Sequence, residues 1–288
     1  MEFRTLSYFL GVLENRSFTA AAKALYITQP ALTKAIKRLE DELGVKLFDR
    51  SSGGTTPTKY GELLAHHARR ITEEQRHAKL EISNLKNGFE GSVRVGAGPV
   101  WSSHMLPQAV NRLRDEGQNI KITLITDAAA PLKKRLLDGG LDLICGDIDY
   151  PIHPDIHKEH IHSADVILCG RDGHPLAGKS LVEYADLTKF SWVVLANMPD
   201  KLQPHFTSLD IAIEVASVED LLMAAKTDDY LVPLPLSLIP KAESVGIVRL
   251  PFKGPLYSFP IGIAYLRDAR TSPSVASVLS IIRSFTWE

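Results

Sequence analysis

Residues 17–50 read SFTAAAKALYITQPALTKAIKRLEDELGVKLFDR, and this stretch decides the fold of the N-terminal part of the 288-residue chain. Ser17 is placed to cap a helix, because its hydroxyl can accept an unpaired first-turn N–H. The helix it opens, FTAAAKAL, carries a run of alanines that permits close helix–helix approach. Tyr26-Ile27 forms a turn. Thr28 caps the next helix, and Pro30 is tolerated in its first turn, where a missing N–H costs nothing. Leu32, Ile36, Leu39 and Leu43 give that helix a buried stripe, and Gly44 stops it. Gln29, Thr33, Lys34, Lys37 and Arg38 occupy its other face. Upstream, Leu6, Phe9, Leu10 and Leu13 lie on one face of an amphipathic helix. Downstream, KLFDR and TTPTK flank a Ser/Gly turn and read as a hairpin, with Lys46, Arg50 and Lys59 along it.

Two helices joined by a tight turn, the second with a polar and basic outer face, make a helix-turn-helix, and the hairpin makes it winged. The second of these helices is expected in the DNA major groove, its N-terminal residues near base edges. Gln29 can pair bidentately with adenine, and Lys34 can reach guanine O6/N7. Lys37, Arg38 and Arg50 suit phosphates, which position a protein without specifying sequence. The alternative is a solvated helix face.

The ordered series S-F-T-x-A-A, T-Q-P-A-L-T-x-x-I-x-x-L-E, L-G-V-x-L-F-x-R and T-x-x-G resembles the winged helix-turn-helix of LysR-type transcriptional regulators. The resemblance implies that Ser17, Thr28, Gln29, Pro30, Ala31, Thr33, Lys34 and Arg38 lie at or near DNA, with Arg50 on the backbone at the wing. Two departures stand out. Gly53 and Thr56 occupy places where wings of the family often carry cations, and Pro57 stands where an apolar residue, usually Leu, is expected. Fewer wing cations mean fewer phosphate contacts and a shallower salt dependence.

Net charge is -1, from 33 Lys+Arg and 34 Asp+Glu. Residues 1–90 carry +3 and the remainder -4, a modestly basic head on an acidic body, which hints at a polyanion-binding head. No apolar run of about 18 residues exists, so no membrane span is expected. The opening MEFRTLSYFL lacks a basic n-region and cleavage site, so no secretory signal is expected. The two cysteines, Cys145 and Cys169, fit a reducing compartment.

From Thr58 to Asn87 the chain has no proline and is rich in helix formers. Leu64, Ala68, Ile71, Gln75, Ala78, Ile82 and Leu85 form an unbroken a/d seam, which wants a partner helix. A core helix would usually show a broader stripe. The resemblance agrees, since the family dimerises through this helix. A two-fold dimer reads an inverted repeat.

From residue 92 strands and helices alternate, which implies a parallel α/β sheet. V-x-V-G, M-L-P, D-G-G-L-D-L-x-x-x-D and H-P-L-A at 174–177 resemble the effector domain of the same family, with the two-lobed fold of periplasmic solute-binding proteins. Lys226 and Asp228 depart from it, standing where the family usually has two glycines. Ligands of open α/β sheets bind beyond the carboxyl ends of strands. The loops so placed offer Pro99, Val100, Trp101, Ser102, Thr126, Asp127, Asp147 and Asn197 as effector contacts. A helix N-terminus after Gly98 suits an anion, whereas Asp127 and Asp147 could select an amino group, so a carboxylate or zwitterion is conceivable. Trp101 reads equally as a packing residue and Ser102 as a plain helix cap.

His153, His157, His160 and His162 could bind a metal or sit on an exposed strand edge; no metal site is assigned, since no Cys or carboxylate framework accompanies them. Cys145 and Cys169 read as core thiols rather than a redox pair. No hydrolase, P-loop, zinc-protease or dinucleotide fingerprint appears, so neither enzyme activity nor a cofactor is expected.

The reading is an α+β multidomain protein. Residues 1–58 form the winged helix-turn-helix, 59–88 the linker and dimerisation helix, and 92–288 the effector domain. Its first lobe covers 92–163 and 266–288, and its second 164–265. The expected function is a sequence-specific transcriptional regulator on a partly palindromic operator, modulated by a small molecule between the lobes. Expected partners are double-stranded DNA, further copies of the chain in a dimer or tetramer, and RNA polymerase; the expected place is the cytoplasm, on the nucleoid. The competing reading is a solute-binding or enzymatic α/β body with an N-terminal assembly module.

Overall fold

In the computed structural model, residues 2–51, 54–151, 153–196, 198, 209–267 and 272–285 are described. Contacts divide the chain into two units, one running through Phe89 together with Lys134–Leu141, the other holding Glu90–Lys133 and the chain from Asp142 onward.

The first unit begins with helices α1 (Phe3–Asn15), α2 (Phe18–Ala24) and α3 (Gln29–Leu43), followed by strands β1 (Phe48–Ser51) and β2 (Gly54–Pro57) and the long helix α4 (Lys59–Lys86). Ser17 and Thr28 cap as the sequence suggests, accepting from Ala20 N at 3.3 Å and Ala31 N at 3.4 Å. Leu6, Phe9, Phe18, Leu32, Ile36, Leu39 and Phe48 share one core. Leu43 does not join it: one turn beyond Leu39, at the last position of α3, it is 42% exposed.

Ala65 and Ala68 of α4 are buried in that same core, with Leu64 and Ile71 packed against it. The start of the linker helix is therefore part of the head, and a boundary at residue 58 cuts through a single core. The T-x-x-G signature explains this packing. Thr58 caps α4 by accepting from Gly61 N at 3.1 Å, and its hydroxyl donates to Lys46 O at 2.7 Å. A Cβ at Gly61 would lie 2.2 Å from Leu47 O. Only glycine lets the helix press so closely on the wing.

The second unit has strands β3 (Gly91–Ala97), β4 (Ile120–Thr126), β5 (Leu143–Asp147), β6 (Ile156–Arg171), β9 (Val232–Pro235), β10 (Ile247–Arg249) and β11 (Tyr257–Leu266) in one sheet. A separate parallel pair is β7 (Trp192–Leu195) with β8 (Ile211–Val215). Helices α5 (Leu106–Asp115), α7 (Tyr184–Leu187), α8 (Val218–Ala225), α9 (Ile239–Glu243) and α10 (Pro273–Arg283) complete it, and α6 (Ala129–Leu137) belongs to it through Lys133 and to the first unit from Lys134.

The sheet is not purely parallel. β4, β3 and β5 run parallel, but β11 is antiparallel to β5 and to β6. Two apolar cores define two lobes. Val93, Val95, Trp101, Leu143, Cys145, Ile261, Ile263 and Val278 belong to one. Val166, Leu168, Cys169, Trp192, Val194, Leu221, Leu234 and Tyr257 belong to the other. Phe259 packs against both. The chain thus joins the first-lobe core again around Phe259–Ile261. β6 and β11 each run from one lobe into the other and pair along their length, from Tyr257↔Val166 to Leu266↔Ile156, with a register shift at Ile261/Gly262.

Candidate nucleic-acid interface and effector cleft

In the head, α3 buries Leu32, Ile36 and Leu39 and turns Gln29, Pro30, Ala31, Lys34, Lys37 and Arg38 to solvent, with Thr33 half-buried. Gln29 Nε2 donates to Thr33 Oγ1 at 3.0 Å, one turn along the helix. The amide is thereby held in place while its oxygen stays available to a base edge. Thr28 is exposed and Ser17 half-buried; each has its hydroxyl oxygen occupied as a cap. The Arg50 backbone pairs with Thr55 in the wing hairpin; its side chain and Gly53 lie outside what is described.

The wing is tied to the helices at three points. Glu40 accepts from Leu47 N at 2.9 Å and from Lys46 Nζ at 2.8 Å. Thr55 N donates to Arg16 O at 3.0 Å. Phe48 packs its ring 5.2 Å from Phe9 and 5.9 Å from Phe18. Partial burial of Glu40 favours its neutral acid, but the Lys46 and Leu47 donors outweigh that and hold its carboxyl below the usual range. The wing root stays ionically pinned at neutral pH.

On α4 the expected seam divides. Ala68 is fully buried in the head of its own chain, and Leu64 and Ile71 pack there too. Ala68 is thus enclosed by the head of its own chain, while Leu64 and Ile71 are only half-buried there. Gln75 is half-buried and Ala78 exposed. Ile82 and Leu85 stand 56% and 59% exposed. The second half of α4 thus leaves apolar surface in solvent.

In the second unit, a cavity of about 80 Å³ lies between the lobes. Val100, Trp101 and Met105 line it from the first lobe, and Pro235, Leu236 and Ser237 from the second. Its remaining walls are the crossing strands, through His162, Ser163, Ala164, Asp165, Phe259 and Ile261. Trp101 is 4% exposed and belongs to the first-lobe core as well as to the cavity wall, so its packing reading holds. It opens a wide turn, Trp101–Met105, whose helical hydrogen bonds span five residues. Such turns often mark functional sites.

The other expected effector residues stand differently. Ser102 Oγ donates to Gly98 O at 3.0 Å and accepts from Thr126 Oγ1 at 2.7 Å. Its hydrogen is thus committed to a backbone carbonyl four residues back; Ser102 caps no N–H, and no side chain caps this turn. Asp127 accepts from Ala128 N and Asp147 from Asp149 N, both at 2.8 Å. Pro99, Ser102, Thr126, Asp127 and Asp147 are absent from the described lining of the cavity, and Asn197 lies outside the described residues. Asp147 acts at a distance. Burial pushes the Tyr150 hydroxyl up to about 12, the Asp147 charge adds to this, and Tyr257 is raised by the same two causes.

What sequence reasoning missed is the pair of crossing strands. Their meeting depends on long-range pairing, which leaves no local pattern in the sequence. The histidines do not converge: His157 packs on Tyr265 at 5.0 Å, and His160 meets Ser163 at 3.4 Å. Among the described residues no group of three or more His, Cys, Asp or Glu could hold a metal. Cys145 and Cys169 are buried in different lobes. Burial raises both thiols, Cys169 to about 12.

The model of the LysR substrate binding domain matches residues 86–286, and that of the bacterial regulatory helix-turn-helix protein, lysR family, matches residues 3–62. The chain belongs to the LysR family of transcriptional regulators. It is thus a DNA-binding regulator with a substrate-binding domain rather than an enzyme. The HTH-type transcriptional regulator PcaQ of Agrobacterium fabrum is 28% identical to this LysR-type chain over 299 residues, covering 100% of it and 96% of PcaQ. The SDS degradation transcriptional activation protein of a Pseudomonas species is 32% identical over 179 residues; that match covers 62% of this chain and only 58% of the relative. The crystal structure of full-length CbnR with its target DNA shares the fold at a TM-score of 0.65 and 23% identity, covering 98% of this chain and 99% of CbnR. No described helix of this LysR-type regulator is long and apolar enough to cross a membrane.

Proposed function

We propose that this regulator binds a partly palindromic operator as a dimer, with α3 of each head in a major groove. The observation that carries this reading is the α3 face itself: Gln29, Lys34, Lys37 and Arg38 are all exposed on a helix whose opposite face is locked in the core. Gln29 and Lys34 read base edges near the helix N-terminus, and Lys37, Arg38 and Arg50 contact phosphates. Ser17, Thr28, Pro30, Ala31 and Thr33 shape the surface that meets the duplex. Ala78, Ile82 and Leu85 supply the inter-helix contact that pairs two heads, and pairs of dimers assemble into a tetramer. The protein works in the cytoplasm on the nucleoid, where bound dimers meet RNA polymerase.

The inter-lobe cavity receives the effector. Its wall is apolar at Val100, Trp101, Met105, Leu236 and Phe259 and polar at His162, Ser163, Asp165 and Ser237, which suits a small molecule with one apolar flank and a hydrogen-bonding end. Effector binding selects one arrangement of the lobes, and its differential affinity for that arrangement shifts the regulator.

Selection of genomic DNA fragments followed by sequencing, at two salt concentrations, tests the operator reading. One inverted repeat that stays enriched at the higher salt supports it. Binding that is blind to sequence and vanishes with salt refutes it.

A further inference from the structure

Tyr26 occupies the turn between α2 and α3 and is 95% exposed. Its φ is +55°, in the left-handed region that disfavours any residue with a Cβ. The hydrogen bonds explain the conformation. Ile27 N donates to Ala22 O at 3.0 Å and Tyr26 N to Lys23 O at 3.3 Å, the double closure of a helix end that requires one left-handed residue, usually glycine.

Elsewhere this chain meets the same requirement with glycine. Gly44 ends α3, Gly88 follows α4, Gly117 follows α5 and Gly139 follows α6, all with φ between +69° and +83°. The closing bonds recur: Val45 N to Glu40 O, Phe89 N to Asn84 O, Gln118 N to Leu113 O and Gly140 N to Arg135 O. Among the described residues, only at the end of α2 does a bulky aromatic take the strained place. Arg16, the other non-glycine with positive φ among the described residues, has its backbone carbonyl engaged by Thr55 N of the wing. The Tyr26 ring, almost wholly in solvent, gains no such compensation from the fold.

Strain kept without a folded-state return points to function. Tyr26 lies two residues before Thr28, the cap of the helix whose first turn carries Gln29. We propose that Tyr26 is a further DNA-contacting residue, its phenol donating to a backbone phosphate beside the groove that α3 enters. The chemistry fits. A phenol is a neutral donor on a stiff arm, and tyrosine is among the side chains that hydrogen-bond phosphate oxygens. The glycine or asparagine that the turn prefers has no donor with that reach. The inference rests on the placement of α3 in the groove.

The test compares Tyr26→Phe, Tyr26→Asn and Lys37→Ala in the full-length protein, using a labelled duplex carrying the inverted repeat recovered by selection and a scrambled duplex of equal length. Tyr26→Phe keeps ring and strain and loses only the hydroxyl; it should bind both duplexes about fivefold to tenfold more weakly. The slope of log affinity against log salt should stay unchanged, because a neutral donor releases no counterion. Tyr26→Asn should bind as weakly as Tyr26→Phe while its Tm rises by about 2–4 °C as strain is relieved. Lys37→Ala should lower both affinity and salt slope. Wild-type affinity for Tyr26→Phe beside a weakened Lys37→Ala overturns the phosphate contact alone. Unchanged binding in all three variants overturns the groove assignment, and the inference with it.

Discussion

Replacing Gly61 with alanine probes how the wing is seated on α4. The new Cβ would stand 2.2 Å from Leu47 O, 3.2 Å from Leu47 C and 3.1 Å from Pro57 Cβ. The first contact is with backbone, so no side-chain rotation relieves it. Restoring an ordinary carbon–oxygen separation requires the start of α4 and the wing to part by about 1 Å. That movement stretches the bonds joining them, Thr58 N to Leu47 O at 2.9 Å and Thr58 Oγ1 to Lys46 O at 2.7 Å. Overpacking of this kind costs about 1–3 kcal/mol, and weakening one hydrogen bond adds about 1 kcal/mol. Against this, alanine is favoured over glycine in a helix by about 1 kcal/mol. The net is a loss of about 2 kcal/mol. For a head of this size that corresponds to a fall in Tm of about 8–16 °C, read as the head transition in thermal unfolding followed by circular dichroism. A Tm equal to or above that of the parent would mean that helix propensity wins and that the close approach at Leu47 is not needed.

Gln29→Ala and Lys34→Ala should relax base preference at single positions of the operator, each costing about 1–3 kcal/mol against the preferred site; identical selected motifs for parent and variants would sink the assignment. Asp186 is held well below the usual carboxylate range, first by its hydrogen bond with Lys179, then by the Glu183 N–H and by Lys189. A depressed folded-state pKa stabilises above the unfolded value and is lost as pH falls through the folded one. Asp186→Asn should therefore lower Tm at pH 7, with the gap closing only in strong acid; a gap independent of pH would argue against the ionic cause. His174 is lowered, chiefly by burial and also by Arg171, against the opposing pull of Asp229. Its Nδ1 accepts from Leu176 N at 3.1 Å and its Nε2 stands 3.1 Å from Asp229 O, so the ring is neutral with its proton on Nε2. Since the unfolded chain takes up the second proton, on Nδ1, more readily, stability contributed by His174 falls as pH drops below about 6.5. Nitrogen-detected NMR should show the Nε2–H form persisting below that pH, and titration at or above it would refute the reading.

The head was legible because its determinants are local. Ser17 and Thr28 cap, Gly44 ends α3, and the 3.6-residue period picks out Leu32, Ile36 and Leu39. The period carries no knowledge of where the neighbouring surface ends, which is why Leu43 continues the stripe yet faces water. The stripe on α4 runs past the edge of the head for the same reason. Leu64, Ala68 and Ile71 share a helical face with Ile82 and Leu85, but the first three meet the head and the last two do not. Pairing between distant strands leaves no local trace at all. Alternation could not reveal that β11 is antiparallel to β5 and β6, nor that Ile261 and Ile263 belong to the first lobe. The cavity walls at His162–Asp165 and Phe259 follow from that pairing. Only the loop after β3, with Val100 and Trp101, was open to a rule about strand ends.

The paired β6 and β11 strands impose a mechanical restriction on the lobes. A hydrogen-bonded ladder resists sliding, because a one-residue slip breaks every rung and reverses every side chain. It yields more easily to bending across its width, most of all at the Ile261/Gly262 irregularity, where a Cβ on Gly262 would lie 2.0 Å from Glu159 O. The ribbon therefore behaves as a leaf spring with a notch: the lobes can tilt but cannot translate along it. Whatever occupies the cavity is registered as an angle, and an angle set at a notch grows into displacement in proportion to the length of the lever beyond it.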